Sequence, residues 1–204
     1  MKHIQIALDG PAGAGKSTIA KLVAKDLGFT YIDTGAMYRA VTLKAMKLGI
    51  DMNNEADYEF LYSTQFQFED GHLFMDGIDV SNHVRSTEIS NNVSLVSSFL
   101  SVREQLVMIQ QEMAQKVSVV MDGRDIGFKV LPDADFKFFL TASIEERATR
   151  RHQDNLKRNI HSNIEQLKEE IARRDYLDTT REHSPLRPAT DALIVDTSHM
   201  SIAE

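Results

Sequence analysis

Gly10-Pro11-Ala12-Gly13-Ala14-Gly15-Lys16-Ser17 is the stretch on which the reading of this chain turns. It matches the phosphate-binding loop pattern G-x-x-x-x-G-K-[ST] in full. Its surroundings fit: Ile4, Ile6 and Leu8 alternate before it as a strand does. Ile19, Ala20, Val23, Ala24 and Leu27 follow at helical spacing, and Gly28 stands where that helix should stop. Strand, glycine loop and helix N-terminus together make an anion nest, with backbone N–H groups and the helix dipole facing a phosphate. A nucleoside triphosphate site is therefore expected. Lys16 should reach the terminal phosphates, and the Ser17 hydroxyl should hold Mg²⁺ directly or through water.

Composition narrows the setting. The 204 residues suffice for one substantial core with a small inserted subdomain. The hydrophobic share of 42% and charged share of 26% are ordinary for a globular protein. A formal net charge of −7 argues against a nucleic-acid groove, which needs a basic face. The absence of cysteine excludes disulfides and thiolate metal sites. No run approaches the ~18 apolar residues of a membrane span, and none reads as a signal peptide, so no membrane partner and a cytoplasmic location are expected.

Outward from the loop, strands and helices alternate. Thr30 to Ile32 reads as a second strand, followed by Asp33-Thr34-Gly35 and a helix ending near Gly49. Asn53 or Asn54 can cap a third helix through Tyr58, Phe60 and Leu61. The texture then changes: Phe66 and Phe68 alternate with polar residues, and Asp70-Gly71 and Asp76-Gly77 are hairpin signals. Residues 63–84 are expected to form a small antiparallel excursion. Helix signals return at Thr87, and Ser101-Val102-Arg103-Glu104 has capping-box form, with Val102, Leu106, Ile109 and Met113 as a buried stripe. Val117 to Met121, ending at Asp122, reads as a strand covered on both faces. Phe136 to Leu140 repeats that pattern; helices follow from Ser143 and Ser162, then a last strand from Ala192 to Val195. Ser201 to Glu204 has the form of another helix start. The expected fold is α/β, a doubly wound parallel sheet in one domain over 1–204, with ligands at the carboxyl ends of the strands.

Candidate functional residues cluster at those ends. Asp122 closes an apolar strand, the place of a metal-directed carboxylate in phosphate-loop enzymes, and Arg124 and Asp125 follow. Arg103 sits in the first turn of its helix, where the dipole disfavours a cation, which points to a ligand. Arg147, Arg150 and Arg151, with Arg158 beyond, gather on the helix after Ser143 and suit a second phosphate group. Arg174, Asp178 and Arg181 share one face if their helix persists that far. The seven histidines show no metal-ligand spacing.

The combination of ALDGPAGAGKST, YIDTGAMYRA, VVMDGRDIG, LTASIEERATRR, IARRDYLDTTREHSPL and DALIVDTS resembles bacterial-type cytidylate kinases over nearly the whole chain, in order. The resemblance implies MgATP-dependent phosphorylation of CMP, and of dCMP, on an adenylate-kinase-like core with a nucleotide-binding insert and a helical lid at about 147–163. It implies ATP binding by Gly10, Pro11, Ala12, Gly13, Ala14, Gly15, Lys16, Ser17 and Thr18, with Arg147 and Arg158. Thr34, Arg39 and Arg124 match residues that meet the acceptor phosphate; Ser94, Arg103 and Asp125 match those reading the cytosine edge. Arg174, Asp178 and Arg181 match the group around the acceptor's ribose and phosphate. Lys16, Arg124, Arg150 and Arg151 form the implied catalytic set, and Ser17 and Asp122 the Mg²⁺ site. After Gly127, where the family has a small hydroxyl and an aliphatic residue, this chain has Phe128 and Lys129.

Phosphoryl transfer between two phosphates demands positioning and charge neutralisation rather than a general base. A monomer acting on small molecules is expected. The alternatives from the residues alone are a kinase for another small acceptor and a nucleotide switch, although no N-K-x-D guanine signature is present.

Overall fold

A computed structural model describes residues 3–69, 71–157 and 159–204. Arg158 and Asp70, both singled out in the sequence, lie outside the described residues. Five strands form a parallel sheet: β1 (Gln5–Asp9), β2 (Thr30–Asp33), β6 (Val119–Gly123), β7 (Phe136–Thr141) and β8 (Leu193–Asp196), in the order β2-β6-β1-β7-β8. β6 and β1 lie side by side in the middle, so both must be apolar on both faces. They are: Ala7, Val119 and Met121 point into one core with Ile32, while Ile6, Leu8 and Val120 point into another with Tyr31 and Leu140.

Helices fill both faces. α1 (Lys16–Leu27) packs through Ala20 and Ala24 and closes on Gly28, whose φ of 67° supplies the left-handed cap. Leu27, expected in its buried stripe, is 51% exposed. α2 (Thr34–Leu48) begins where the Asp33 carboxylate accepts the Ala36 N–H at 2.7 Å. The third expected helix is a 3₁₀ stretch, Glu55–Ser63, capped by Asn54. The antiparallel excursion comprises β3 (Phe66–Glu69), β4 (His72–Met75) and β5 (Ile78–Asp79), with Asp76 and Gly77 both at positive φ between β4 and β5. That is what a two-residue hairpin requires.

α3 (Thr87–Val96) is capped by Ser86, and α4 (Leu100–Lys116) by no side chain of its own. The capping box expected at Ser101 does not form. Ser101 is already inside the helix, and its N–H goes to the Glu55 carboxylate at 2.7 Å, a cap supplied from 46 positions away. The expected stripe does form: Val102 and Leu106 are fully buried, with Ile109 and Met113 packed beside them. α5 (Ile144–Lys157) starts with the Ser143 hydroxyl accepting the Glu146 N–H at 3.1 Å. In α6 (Ile164–Thr180) the cap is Asn163. At the end of the chain, Glu204 and Ser201 make the hydrogen bonds of a capping box, without helix among residues 201–204.

Candidate active site

Three strand ends converge at the carboxyl edge of the sheet, where Asp9, Asp33 and Asp122 are buried at the ends of otherwise apolar strands. β1 runs directly into the glycine loop. At Gly10, φ is 142° and a Cβ would lie 2.0 Å from the Leu140 carbonyl oxygen, so no other residue fits. Gly13 and Gly15 also take positive φ, at 81° and 90°. The loop is braced from outside by side chains. Ala12 O accepts Arg147 at 3.2 Å, and Ala14 O accepts the Thr197 hydroxyl at 3.2 Å.

Lys16 is buried, and its Nζ donates to Pro11 O at 2.8 Å. Burial, then the nearby Arg124 charge, lowers its pKa. Ser17 Oγ donates to Asp122 Oδ2 at 2.8 Å, and the Tyr31 hydroxyl donates to Asp122 Oδ1 at 2.7 Å. Burial and then the Asp33 charge raise the Asp122 pKa. This carboxylate lies under electrostatic pressure that a cation would relieve. Ser17 and Asp122 offer the hard oxygen donors Mg²⁺ takes, so the residues fit that ion. Among the described residues no group of three or more His, Cys, Asp or Glu could hold a metal.

Beside the loop stands a cluster of arginines. Thr34 Oγ1 donates to Asp122 O at 2.8 Å, and Arg39 pairs with Asp33 at 3.2 Å. Arg103 and Asp125 form a buried ion pair, which accounts for the misplaced cation at a helix start; Arg103 also donates to Ser97 O at 3.0 Å and lies over the Tyr38 ring. Ser94 is half-buried on α3, one turn before Ser97. Arg124 Nε donates to Asp178 Oδ2 at 2.8 Å. Burial works to raise the Asp178 pKa, but Arg124 and then Arg174 outweigh it and hold the carboxyl below its ordinary value. Burial, then the Arg124 charge, pushes Arg174 down to about 10. Buried N–H groups of Arg39, Arg103, Arg174 and Arg181 have no protein acceptor. A cationic cluster with open donors is built to receive an anion.

Two expectations need correction. Arg181 does not share a helical face with Arg174 and Asp178: α6 ends at Thr180, and Arg181 is extended, with Nε donating to Ser184 O at 2.6 Å. Arg147, placed by the resemblance in the helical lid with a part in ATP binding, is anchored instead against the glycine loop's backbone. It is 4% exposed, pairs with Asp175 at 2.6 Å and bonds Ala142 O and Ala12 O, so it supports the loop from behind. Half-buried Phe128 and exposed Lys129 line one cavity with Arg103, beside the candidate acceptor site, and the Arg187 guanidinium lies over the Phe128 ring. Arg150 bonds Glu146 and Thr197 close to Gly15, while Arg151 is exposed and contributes to the field at Arg174.

Sequence reasoning passed over Asp9, Tyr31, Asp175 and Thr197. Asp9 is the most consequential: its two carboxylate oxygens accept the N–H groups of Ile126 and Gly127 at 2.8 and 2.7 Å, tying the glycine loop's strand to the segment after Asp125. The signal was present, since Asp9 ends an apolar strand just as Asp122 does.

Residues 6–204 match the family model described as cytidylate kinase. Curated cytidylate kinases from Bacillus thuringiensis (strain Al Hakam) and Bacillus cereus (strain Q1) are each 53% identical over 208 residues, covering 100% of this chain and 92% of theirs. Among solved structures, an uncharacterized protein from Eubacterium ventriosum ATCC 27560 aligns with a TM-score of 0.52 at 11% identity, over 99% of this chain and 93% of that one, a likeness of fold alone.

Proposed function

Because the chain belongs to the cytidylate kinase family, we propose that it transfers the γ-phosphoryl group of ATP to CMP, and to dCMP, giving ADP and the diphosphate. The observation that carries the acceptor assignment is the arginine cluster. Arg39, Arg103, Arg124, Arg174 and Arg181 outnumber the carboxylates of Asp33, Asp125 and Asp178 with which they associate, and four of the five keep open buried N–H groups. An acceptor phosphate supplies the missing negative charge.

In this reading Thr34, Arg39, Arg124, Arg174 and Arg181 hold the acceptor phosphate and ribose with Asp178, while Ser94, Arg103 and Asp125 read the base. The loop from Gly10 to Thr18 holds the donor phosphates through backbone N–H groups. Lys16 leaves Pro11 O to reach them, its compact charge worth most in a water-poor site. Arg124 stands near enough to Lys16 to depress its pKa, so one cation from the acceptor side and one from the donor side flank the transferring group. Arg150 and Arg151 add charge from the α5 side, within the region at about 147–163 that serves as the lid excluding water. Ser17 and Asp122 would hold Mg²⁺, which when bound supplies charge neutralisation at the phosphate oxygens. No general base is needed, because an ionised acceptor phosphate oxygen is already a nucleophile. The β3–β5 sheet serves as the acceptor-side insert, and the enzyme acts as a cytoplasmic monomer.

ADP release from ATP and Mg²⁺, measured with CMP, dCMP, AMP or no acceptor, tests the reading. Rapid release with CMP and dCMP and near-silence otherwise is expected. Turnover of ATP alone would instead indicate a nucleotide switch, and a preference for AMP a different acceptor.

A further inference from the structure

Beyond α6 the chain crosses the site as a short loop. Arg181 leaves the helix in extended form, its Nε reaches Ser184 O, and the Leu186 N–H returns to Asp178 O at 2.7 Å. Ser184 takes a φ of 50°, a left-handed conformation that costs a non-glycine residue free energy. These contacts tie the loop only to itself and to the end of its own helix. On the α4 side it is not packed: Arg103, Val107, Phe128, Ser184 and Arg187 line an open cavity of about 310 Å³.

Beyond the attraction between the Arg181 and Asp125 charges, packing against the segment that carries Asp125 comes at the far end. The Arg187 guanidinium lies 4.9 Å from the centroid of the Phe128 ring, and the Ala189 methyl approaches Gly127 closely enough to meet a Cβ built there at 3.4 Å. Phe128 is itself held, because the preceding Gly127 N–H is bonded to Asp9. The ring thus projects from an anchored backbone, and the exposed Arg187 lies over it.

We propose that Phe128 and Arg187 are positioning residues that fasten the loop bearing Arg181 to the segment bearing Asp125, and thereby set the affinity for the acceptor nucleotide. The inference rests on the assignment of Arg181 and Asp125 to the acceptor site. A loop fastened before the acceptor arrives need not be ordered by it, and apparent affinity rises with the fraction of molecules already in the competent arrangement. The donor loop lies on the other side of Asp9 and is indifferent to the fastening.

Phe128→Leu, Arg187→Met and the double variant, with Phe128→Tyr as the conservative control, test this. A cation–π contact at an exposed site corresponds to about a two- to fivefold change in an equilibrium. Each single variant should raise KM for CMP by about that factor, with KM for ATP and kcat at saturating CMP unchanged. The double variant should be no worse than either single one, and Phe128→Tyr should behave as the unsubstituted chain. Multiplying single effects, an equal rise in KM for ATP, or unaltered KM for CMP would each overturn the proposal. If the unsubstituted chain does not phosphorylate CMP, the function assigned above fails separately. Hydrogen exchange of residues 182–187 then reads the fastening alone: equal, non-additive acceleration in the two single variants supports it, and unchanged or additive exchange refutes it.

Discussion

The glycine loop takes its form from eight consecutive residues, whereas the arginine cluster beside it is assembled from α2, α4, the end of β6, α6 and the loop that follows. In the loop the ligand-binding groups are backbone N–H groups, and the chemistry resides in a conformation that glycine permits at Gly10, Gly13 and Gly15. In the cluster they are long side chains, three of them paired with carboxylates: Arg39 with Asp33 six positions away, Arg103 with Asp125 at 22 positions and Arg124 with Asp178 at 54. One region can lose a side chain without losing its shape. The other cannot, because removing one partner strands a buried charge.

Lys16→Ala probes the first region and should show the largest catalytic effect. Removing a charge stabiliser of this kind costs roughly 10²–10³ in kcat. Among the described residues its side-chain hydrogen bond is to Pro11 O, and burial disfavours its charge, so thermal unfolding should show no loss of stability. A matching fall in melting temperature would mean that the loop depends on this side chain for its fold, and the contrast between the regions would disappear.

Arg103→Ala and Asp125→Ala probe the second region. Each leaves the other member of a buried pair uncompensated, at a cost of about 3–5 kcal/mol in urea unfolding. Each should also raise KM for CMP far more than KM for ATP. Replacing both together by apolar residues should recover part of the stability but none of the CMP affinity, because a dry pocket replaces the pair without offering the base a partner. Recovery of both would remove the pair from base recognition.

The smallest and most specific effect concerns Asp9, the residue that joins the regions. Burial raises its pKa from 3.8 to about 6, despite the opposing bonds from the Gly127 and Ile126 N–H groups. Since the folded state holds this proton more tightly than the unfolded chain, Asp9 contributes more stability below about pH 4 than above pH 6, and that contribution is lost as pH rises between them. The expected swing is up to about 3 kcal/mol. The difference in melting temperature between the unsubstituted chain and Asp9→Asn should therefore favour the aspartate more at pH 5 than at pH 7.5. A pH-independent difference would show that Asp9 does not titrate in this window.

The donor half of the site could be read directly, since its pattern is contiguous and the residues around it alternate as strand and helix demand. Part of the acceptor half was legible through conflict: an arginine in the first turn of α4 contradicts the helix dipole, and the contradiction pointed to a ligand, where the structure shows a partner within the chain. That the partner is Asp125, 22 positions onward, depended on where β6 ends relative to α4. The expected capping box at Ser101 failed for a related reason. A local pattern was correct in form, but Glu55 had already satisfied that helix start from another part of the fold. Arg147 reads on its helix as one of several cations and becomes a support for the glycine loop only through Asp175 and Ala12.

By itself, the sequence determined the elements and the phosphate loop, because periodicity, caps and glycine conformations act over a few neighbouring residues. Only the tertiary structure decided which charges neutralise one another, because that depends on the sheet bringing the ends of β1, β2 and β6 to a single edge. At that edge a carboxylate such as Asp9 meets backbone donors 117 and 118 positions away. Burial strengthens such a pairing, but the distances that create it are set by strand order and register, which no local stretch of residues specifies.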